Sequence, residues 1–337
     1  LIGDHIRHES TRIMTGRPLM ASITLRTATA AQGATRALMD GTVTPRRFTL
    51  EFAEIADQAG LVQAFRRMVR GLEFDVCEMA FTTYLCAKAH GKPFTALPIF
   101  LVREFHHGAI THNATAGARS PDDLEGRRVG VNRGYTVTTG VWARGILADE
   151  YGVDLTRVTW VLSGDEHVAE YRAPANVVPV EPGRDLAEMV ATGELAAGIG
   201  VAASRPGVVP LIPEAAAAGF DALRQRGLYP INHLVVVRDE LLGAHPGLAA
   251  DIFAAYAEAK HRYVRRLRQD AVDAPTPADV RYQRVMAITG ADPLPYGIAP
   301  NRAMIDLLIR HAVSQQILDR PPAVGDLFAE GTHDLTG

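Results

Sequence analysis

Along this chain two apolar periods take turns: alternate positions over short runs, then every third or fourth position over longer ones. The pattern predicts strands and helices in alternation, hence an α/β protein with largely parallel sheets covered by helices. Arg128 to Val131 reads as a strand and Asn132 to Thr136 as a polar turn. Beyond it Val141, Trp142, Gly145, Ile146 and Tyr151 share one side of a helix. A helix start leaves backbone N–H groups unpartnered and carries partial positive charge, so this turn is a candidate anion cradle. Gly134 lets a ligand come close. Thr138 and Thr139 either contact that ligand or merely cap the helix.

Upstream, Ser22 to Ala28 and Phe48 to Ile55 read as strands, and Leu61 to Arg70 as a helix closed by a left-handed Gly71. Phe74 to Cys77 reads as a buried strand running into a helix from Met79 to Ala89. Glu78, Thr82 and Thr83 then lie at a second helix start, and two such starts facing each other would hold one small ligand at both ends. Phe94 to Asn113 is strongly β, with Pro98 marking an edge or a bend. If Phe105 to Thr111 is a regular strand, His106 and His107 point to opposite faces. Downstream, strands are expected at Val158 to Leu162, Val177 to Glu181, Ala196 to Val201 and Leu228 to Arg238. Helices are expected at Asp185 to Thr192, Pro246 to Arg268 and from Arg302, capped by Asn301. The ends, 21–115 and 229–337, make one discontinuous domain; 116–228 is a second domain inserted between them, and the cleft between the two is the expected ligand site.

Composition changes this picture little. The 337 residues, 47% apolar and 22% charged with net charge −3, fit a globular protein of two domains. No nucleic-acid partner is expected, because the clusters Arg66/Arg67/Arg70 and Arg262/Arg265/Arg266/Arg268 fall in last helical turns, where they complement the helix dipole and stay solvated. Cys77 and Cys86 are too few and too close for a disulfide framework. Residues 1–20 read as a disordered leader or extension. No membrane span is visible, so a cytoplasmic protein, plausibly a homo-oligomer, is the expectation.

Six ordered blocks carry a resemblance over nearly all of the chain after Met20: DVCEMAFTTYL (Asp75 to Leu85), ALPIFLVREFHHGAI (Ala96 to Ile110), DLEGRRVGV (Asp123 to Val131), VWARGILADEYGV (Val141 to Val153), PINHLVVVRDELLGAHP (Pro230 to Pro246) and DPLPYGIAPNR (Asp292 to Arg302). The chain resembles 4,5-dihydroxyphthalate decarboxylases. The resemblance implies a type II periplasmic-binding-protein-like fold with the ligand cleft between its two domains. It also implies non-oxidative loss of one ring carboxylate from a hydroxylated aromatic dicarboxylate. A direct aryl carbanion is too high in energy, so an acid must protonate the ring carbon while an oxygen para to it supplies electrons. The site then needs a general acid, a partner for the phenol, and cationic or N–H groups for the remaining carboxylate.

His107 and His233 match family positions, and His107 is the first choice for the acid. For either, the alternative is a core histidine bonded to a backbone carbonyl. Glu78 would accept a phenolic proton or cap its helix; Arg103 would clamp a carboxylate or form a surface ion pair. Thr82 and Thr83 stand at one helix start, and Tyr135, Thr138 and Arg144 would form the second-domain wall. Tyr296 lies in the last matched block with Asn301, as wall or as turn and cap. No cofactor is expected. A divalent metal keeps a small share through His106, His107 and His112, although no HxxE or HxH spacing is present. The family's Arg-His is here His106-His107, its Ser-Glu-Met is Cys77-Glu78-Met79, and its PIMH is Pro230-Ile231-Asn232-His233. The turn NRGYTVTT is one residue longer and replaces Glu-Tyr-Gln. Such changes leave the reaction and open the substrate to another aromatic or heteroaromatic acid. The competing readings are a solute-binding protein for small carboxylates and another cytoplasmic enzyme on the same fold, such as a chorismate-processing enzyme; a thiamine pyrimidine synthase lacks its cysteine-rich motif here.

Overall fold

The computed structural model describes residues 23–337. The expected leader, 1–20, lies outside them. In chain order the described strands are β1 (Ile23–Ala28), β2 (Phe48–Phe52), β3 (Val76–Ala80), β4 (Phe94–Arg103), β5 (Ile110–Asn113) and β6 (Arg128–Val131). They continue with β7 (Thr159–Leu162), β8 (Val177–Pro179), β9 (Ala197–Ile199), β10 (Val208–Pro210) and β11 (Ile231–Arg238). The helices are α1 (Arg36–Met39), α2 (Gln58–Gly71), α3 (Phe81–Ala89), α4 (Thr138–Tyr151) and α5 (Leu186–Ala191), then α6 (Ala215–Arg226), α7 (Asp239–Ala244), α8 (Leu248–Arg268), α9 (Pro277–Thr289) and α10 (Arg302–Ser314). None of the described helices is long and apolar enough to cross a membrane.

Two sheets result, ordered β2-β1-β3-β11-β4 and β10-β5-β9-β6-β7-β8. The first draws on both ends of the chain, the second on its middle. Within the first sheet β1 runs parallel to β2 and β3, but β11 is antiparallel to both β3 and β4. In the second, β5 is antiparallel to β9 and β10, so both sheets are mixed rather than largely parallel. All five residues of β3 are buried, as a strand covered on both faces requires. Pro98 sits on the edge strand β4, where a missing N–H costs no ladder bond.

The first passage between sheets lies at 104–109, because β4 ends at Arg103 in one sheet and β5 begins at Ile110 in the other. The expected boundary at 115 comes after a strand that already belongs to the second sheet. The cause is a break in the β run: Glu104 to His106 leave the ladder and His107–Ala109 form a 3-10 turn. Other local expectations shift by up to three residues. In α2 Leu61, Ala64, Phe65, Met68 and Val69 form the buried stripe, and Asp57 caps the start by accepting from Gly60 N at 2.8 Å. Its left-handed end is Leu72 (φ 51°), with Gly71 still helical.

The tail helix α10 does not stay with the first sheet. It packs against α4, where Gln315 accepts from Arg144 Nε at 2.8 Å and donates to Val141 O at 2.9 Å. Gly145 permits this closeness, since a Cβ there would lie 2.6 Å from the His311 ring.

Candidate active site

Between the two sheets lies a cavity of about 360 Å³, the size of a small-molecule site. Its first-domain wall is built from the end of β3 and the start of β11. Their antiparallel pairing sets Glu78 opposite Val235 and Ala80 opposite His233, so residues two apart on facing strands share one face. Glu78 Oε1 accepts from His233 Nδ1 at 2.7 Å. The other carboxylate oxygen accepts from Thr29 Oγ1 at 2.7 Å and from Ala30 N at 3.0 Å. Glu78 is 1% exposed, with both oxygens engaged. The edge-on ring of Phe65, 5.2 Å from the imidazole centroid, holds the other side of His233. The imidazole is thereby fixed at Nδ1, and Nε2 makes no hydrogen bond to any described residue. A histidine held this way presents Nε2 to the cavity as a proton donor or acceptor.

The second-domain wall is the turn after β6 and the start of α4. Val137, Thr138 and Thr139 line the cavity, and neither α4 nor α3 has a side-chain cap. The two helix starts do meet across the cleft. Thr138 Oγ1 accepts from Thr82 N at 3.1 Å, and Thr82 Oγ1 donates to Thr136 O at 2.6 Å. Thr82 thus ties the walls together, while Thr83 and Thr138 line the space. The cradle expected at Asn132 to Thr136 is filled by the protein itself. Glu166 accepts from Tyr135 N, and from Thr136 N at 3.2 Å and Thr136 Oγ1 at 2.6 Å. Gly134 is needed for that carboxylate, because a Cβ would come within 2.6 Å of Glu166 Oε2. What remains open to a ligand is the helix start beyond the turn.

The loop that carries Glu166 also bonds to α2 of the first domain. Arg66 reaches Asp165 at 2.7 Å; Arg70 reaches Asp165 at 2.9 Å, Glu166 O at 2.7 Å and His167 O at 3.2 Å. These two arginines of α2 therefore clasp the opposite domain rather than standing free in solvent. His167 lines the cavity, 4% exposed and with Nδ1 unpartnered. Burial first, then the cations Arg66, Arg133 and Arg70, push its pKa down to about 4, so it is neutral near pH 7.

Besides Thr82, several residues singled out in the sequence do not line the cavity. His107 sits in the 3-10 turn against α4 and α6, its Nε2 3.2 Å from both oxygens of Glu150. Arg103 is buried under β11: Nη1 donates to Tyr229 O at 2.7 Å, Nη2 to Asn301, and its guanidinium lies 4.7 Å over the Tyr229 ring. Asn301 is thus no cap, since its amide also donates to Pro295 O and Gly297 O. Arg144 is wholly enclosed, stacked 3.8 Å over Tyr135 and bonded to Tyr135 O at 2.6 Å. Tyr135 therefore serves as its platform behind the wall. Tyr296 is core, packed on Phe253. Protein groups rather than a ligand surround these long side chains: backbone carbonyls for Arg103 and Arg144, Glu150 for His107 and the apolar core for Tyr296.

Other lining residues were not legible as site residues: Gln32, Glu104, Arg133, His167 and Asn232. Asn232 takes a bond from buried His106, whose Nε2 lies 3.0 Å from its Oδ1. Burial lowers the His106 pKa and keeps it neutral as that donor. Among the described residues no three His, Cys, Asp or Glu side chains converge as metal ligands.

No protein-family model matches the chain. It is homologous to 4,5-dihydroxyphthalate decarboxylase of Comamonas testosteroni, 29% identical over 282 residues that cover 79% of this chain and 85% of that one. The enzyme of the same name from Pseudomonas putida is 35% identical over 147 residues, 41% of this chain and 56% of that one. Among solved structures, desulfurization enzyme DSZB superposes with a TM-score of 0.54 at 15% identity, over 92% of this chain and 97% of that one. The periplasmic aliphatic sulphonate binding protein SsuA from Escherichia coli gives 0.53 at 11% identity, over 93% of each chain. The fold is accordingly that of the type II periplasmic binding proteins, two domains with a cleft between them.

Proposed function

We propose, from the homology to 4,5-dihydroxyphthalate decarboxylases, that this chain removes one carboxylate from a hydroxylated aromatic dicarboxylate, 4,5-dihydroxyphthalate or a close analogue, without oxidation. The observation that carries the chemistry is the Glu78–His233 pair at 2.7 Å, with Nε2 of the imidazole open to the cavity. His233 takes the role of general acid, and Glu78 holds its tautomer and stabilises its charge.

The protonated imidazole gives its Nε2 proton to the ring carbon that bears the leaving carboxylate. Electrons come from the oxygen para to that carbon, which becomes a carbonyl as its own proton leaves. The C–COO⁻ bond then breaks, its electron pair restores the aromatic ring and returns the carbonyl to a phenolate that takes back the proton it gave up, and carbon dioxide departs. Neutral His233 regains a proton from water. Glu78 cannot also serve the phenol, since its oxygens are committed to His233, Thr29 and Ala30. Gln32, Glu104 and Asn232 remain on the wall for that hydroxyl.

Carbon dioxide release from 4,5-dihydroxyphthalate and a panel of hydroxylated aromatic acids tests this reading. His233→Gln should cut kcat at least about a hundredfold with little change in thermal unfolding, and Glu78→Gln about tenfold or more together with a loss of stability, since its amide NH₂ would face a donor. Tight binding of a panel member without any carbon dioxide from the wild type would instead indicate a carboxylate-binding protein on the same fold.

A further inference from the structure

One cation in the cavity has no counter-charge. Arg66 and Arg70 are paired with Asp165, but Arg133, which lines the cavity, forms no ion pair with any described carboxylate. Its Nε is buried and unpartnered. The neighbouring acid, Glu166, is already taken by the N–H groups of Tyr135 and Thr136. Burial alone depresses the Arg133 pKa, with no nearby anion to oppose it. A half-buried guanidinium left in that state is a cost that a bound anion removes.

The backbone shows that the position is imposed. Arg133 has φ 73°, the left-handed region that a side chain with a Cβ disfavours by about 1 kcal/mol. Ser163 Oγ holds it there by accepting from Arg133 N at 2.8 Å while donating to Asn132 Oδ1 at 3.2 Å. The same wall offers the uncapped start of α4 and His167, neutral and with its ring unbonded. Opposite stands the His233 acid.

We infer that Arg133, with the start of α4, anchors the ring carboxylate that is not lost, and so selects aromatic dicarboxylates over monocarboxylates. This rests on the proposed reaction for the word "not lost"; the anchor itself does not need turnover. A planar fork bonded to one carboxylate fixes the ring, so that the other carboxylate-bearing carbon falls to the His233 side. Arg133 is a binding residue in this account and takes no part in proton transfer.

Calorimetric titration of phthalate and benzoate, neither of which carries the para hydroxyl that decarboxylation uses, tests the anchor apart from catalysis. Wild type should bind phthalate at least about tenfold more tightly than benzoate. Arg133→Gln should erase that preference, and Arg133→Lys should restore part of it. With the hydroxylated substrate the Gln variant should raise KM by at least about tenfold, and any fall in kcat should be smaller than that of His233→Gln. A phthalate preference that survives in Arg133→Gln, or no phthalate preference in the wild type, overturns the proposal. If the preference behaves as expected while no panel acid releases carbon dioxide, the decarboxylase reading fails and the anchor stands.

Discussion

A histidine acts as a ring acid only where its free nitrogen meets the ligand, and that separates His233 from His107. The His107 Nε2 faces Glu150, whose carboxylate also receives Arg226 at 2.6 Å, and its Nδ1 is buried without a partner. Its work is to hold the passage between the sheets against α4 and α6. His107→Ala should therefore destabilise by about 1–3 kcal/mol through the lost hydrogen bonds to Glu150 and lost packing. Its kcat should stay within about threefold of wild type. Urea unfolding with carbon dioxide assays would show it, and a hundredfold loss of kcat at unchanged stability would return His107 to the chemistry. The two histidines look alike in the sequence because each lies in a matched block beside apolar residues. What divides them is the 3-10 turn after Arg103, and no hydrophobic period marks where a strand stops. Arg133 was hidden for another reason: it stands in plain view in NRGYTVTT, but its importance is the absence of a partner, which only the folded surroundings define.

At the scale of elements, the turn between β6 and α4 is held by a carboxylate from 30 residues further on. Glu166 replaces the ligand that an open turn would invite, and the real opening moves one helical turn onward to Thr138 and Thr139. Glu166→Gln sets an NH₂ against N–H donors in place of one carboxylate oxygen. It should cost about 1–3 kcal/mol and speed amide exchange at Tyr135 and Thr136. Exchange measured by mass spectrometry at unchanged rates over 132–137 would refute this role. The β6-turn-α4 unit was readable because its pattern is local: an apolar strand, a polar turn, then a period near 3.6. So was the meeting of the two helix starts, since Thr82, Thr83, Thr138 and Thr139 each follow a buried strand. The helices α6 and α9 carry local signals of their own, an alanine-rich run and the Thr276–Asp279 capping box with Pro277. The pairing of β11 against β3, which creates the Glu78–His233 dyad, joins residues 155 apart and leaves no local trace.

Across the whole molecule, two of the contacts that fasten the domains each contain a buried neutral histidine. On the cavity wall it is His167 beside the Arg66 and Arg70 clasp; at the α4–α10 contact it is His311, edge-on to Trp142 with Asp149 and Arg310 beside it. Burial first pushes both pKa values from 6.5 to about 4. Around His167 the cations Arg66, Arg133 and Arg70 add to that push and Asp165 opposes it. Around His311, Asp149 opposes and Arg310 adds. Between pH 6.5 and 4 the unfolded chain thus binds protons that the folded one refuses. Stability must then fall as pH drops through that window, and is regained above it, by up to about 3 kcal/mol for each histidine. The carboxylates with lowered pKa, such as Asp165, Asp149 and Glu150, add to the slope only at its acid end, because the unfolded chain begins to protonate them only as pH nears their ordinary values of 3.8 for Asp and 4.5 for Glu. Urea midpoints at pH 7.0, 5.5 and 4.5 should decline in the wild type and decline less steeply in His167→Gln and His311→Gln. The slope is the readout, since either variant can lose packing at every pH. A wild-type midpoint that holds level from pH 7 to 4.5 would mean that water reaches these rings when they protonate, and that the two fastenings open without unfolding the chain.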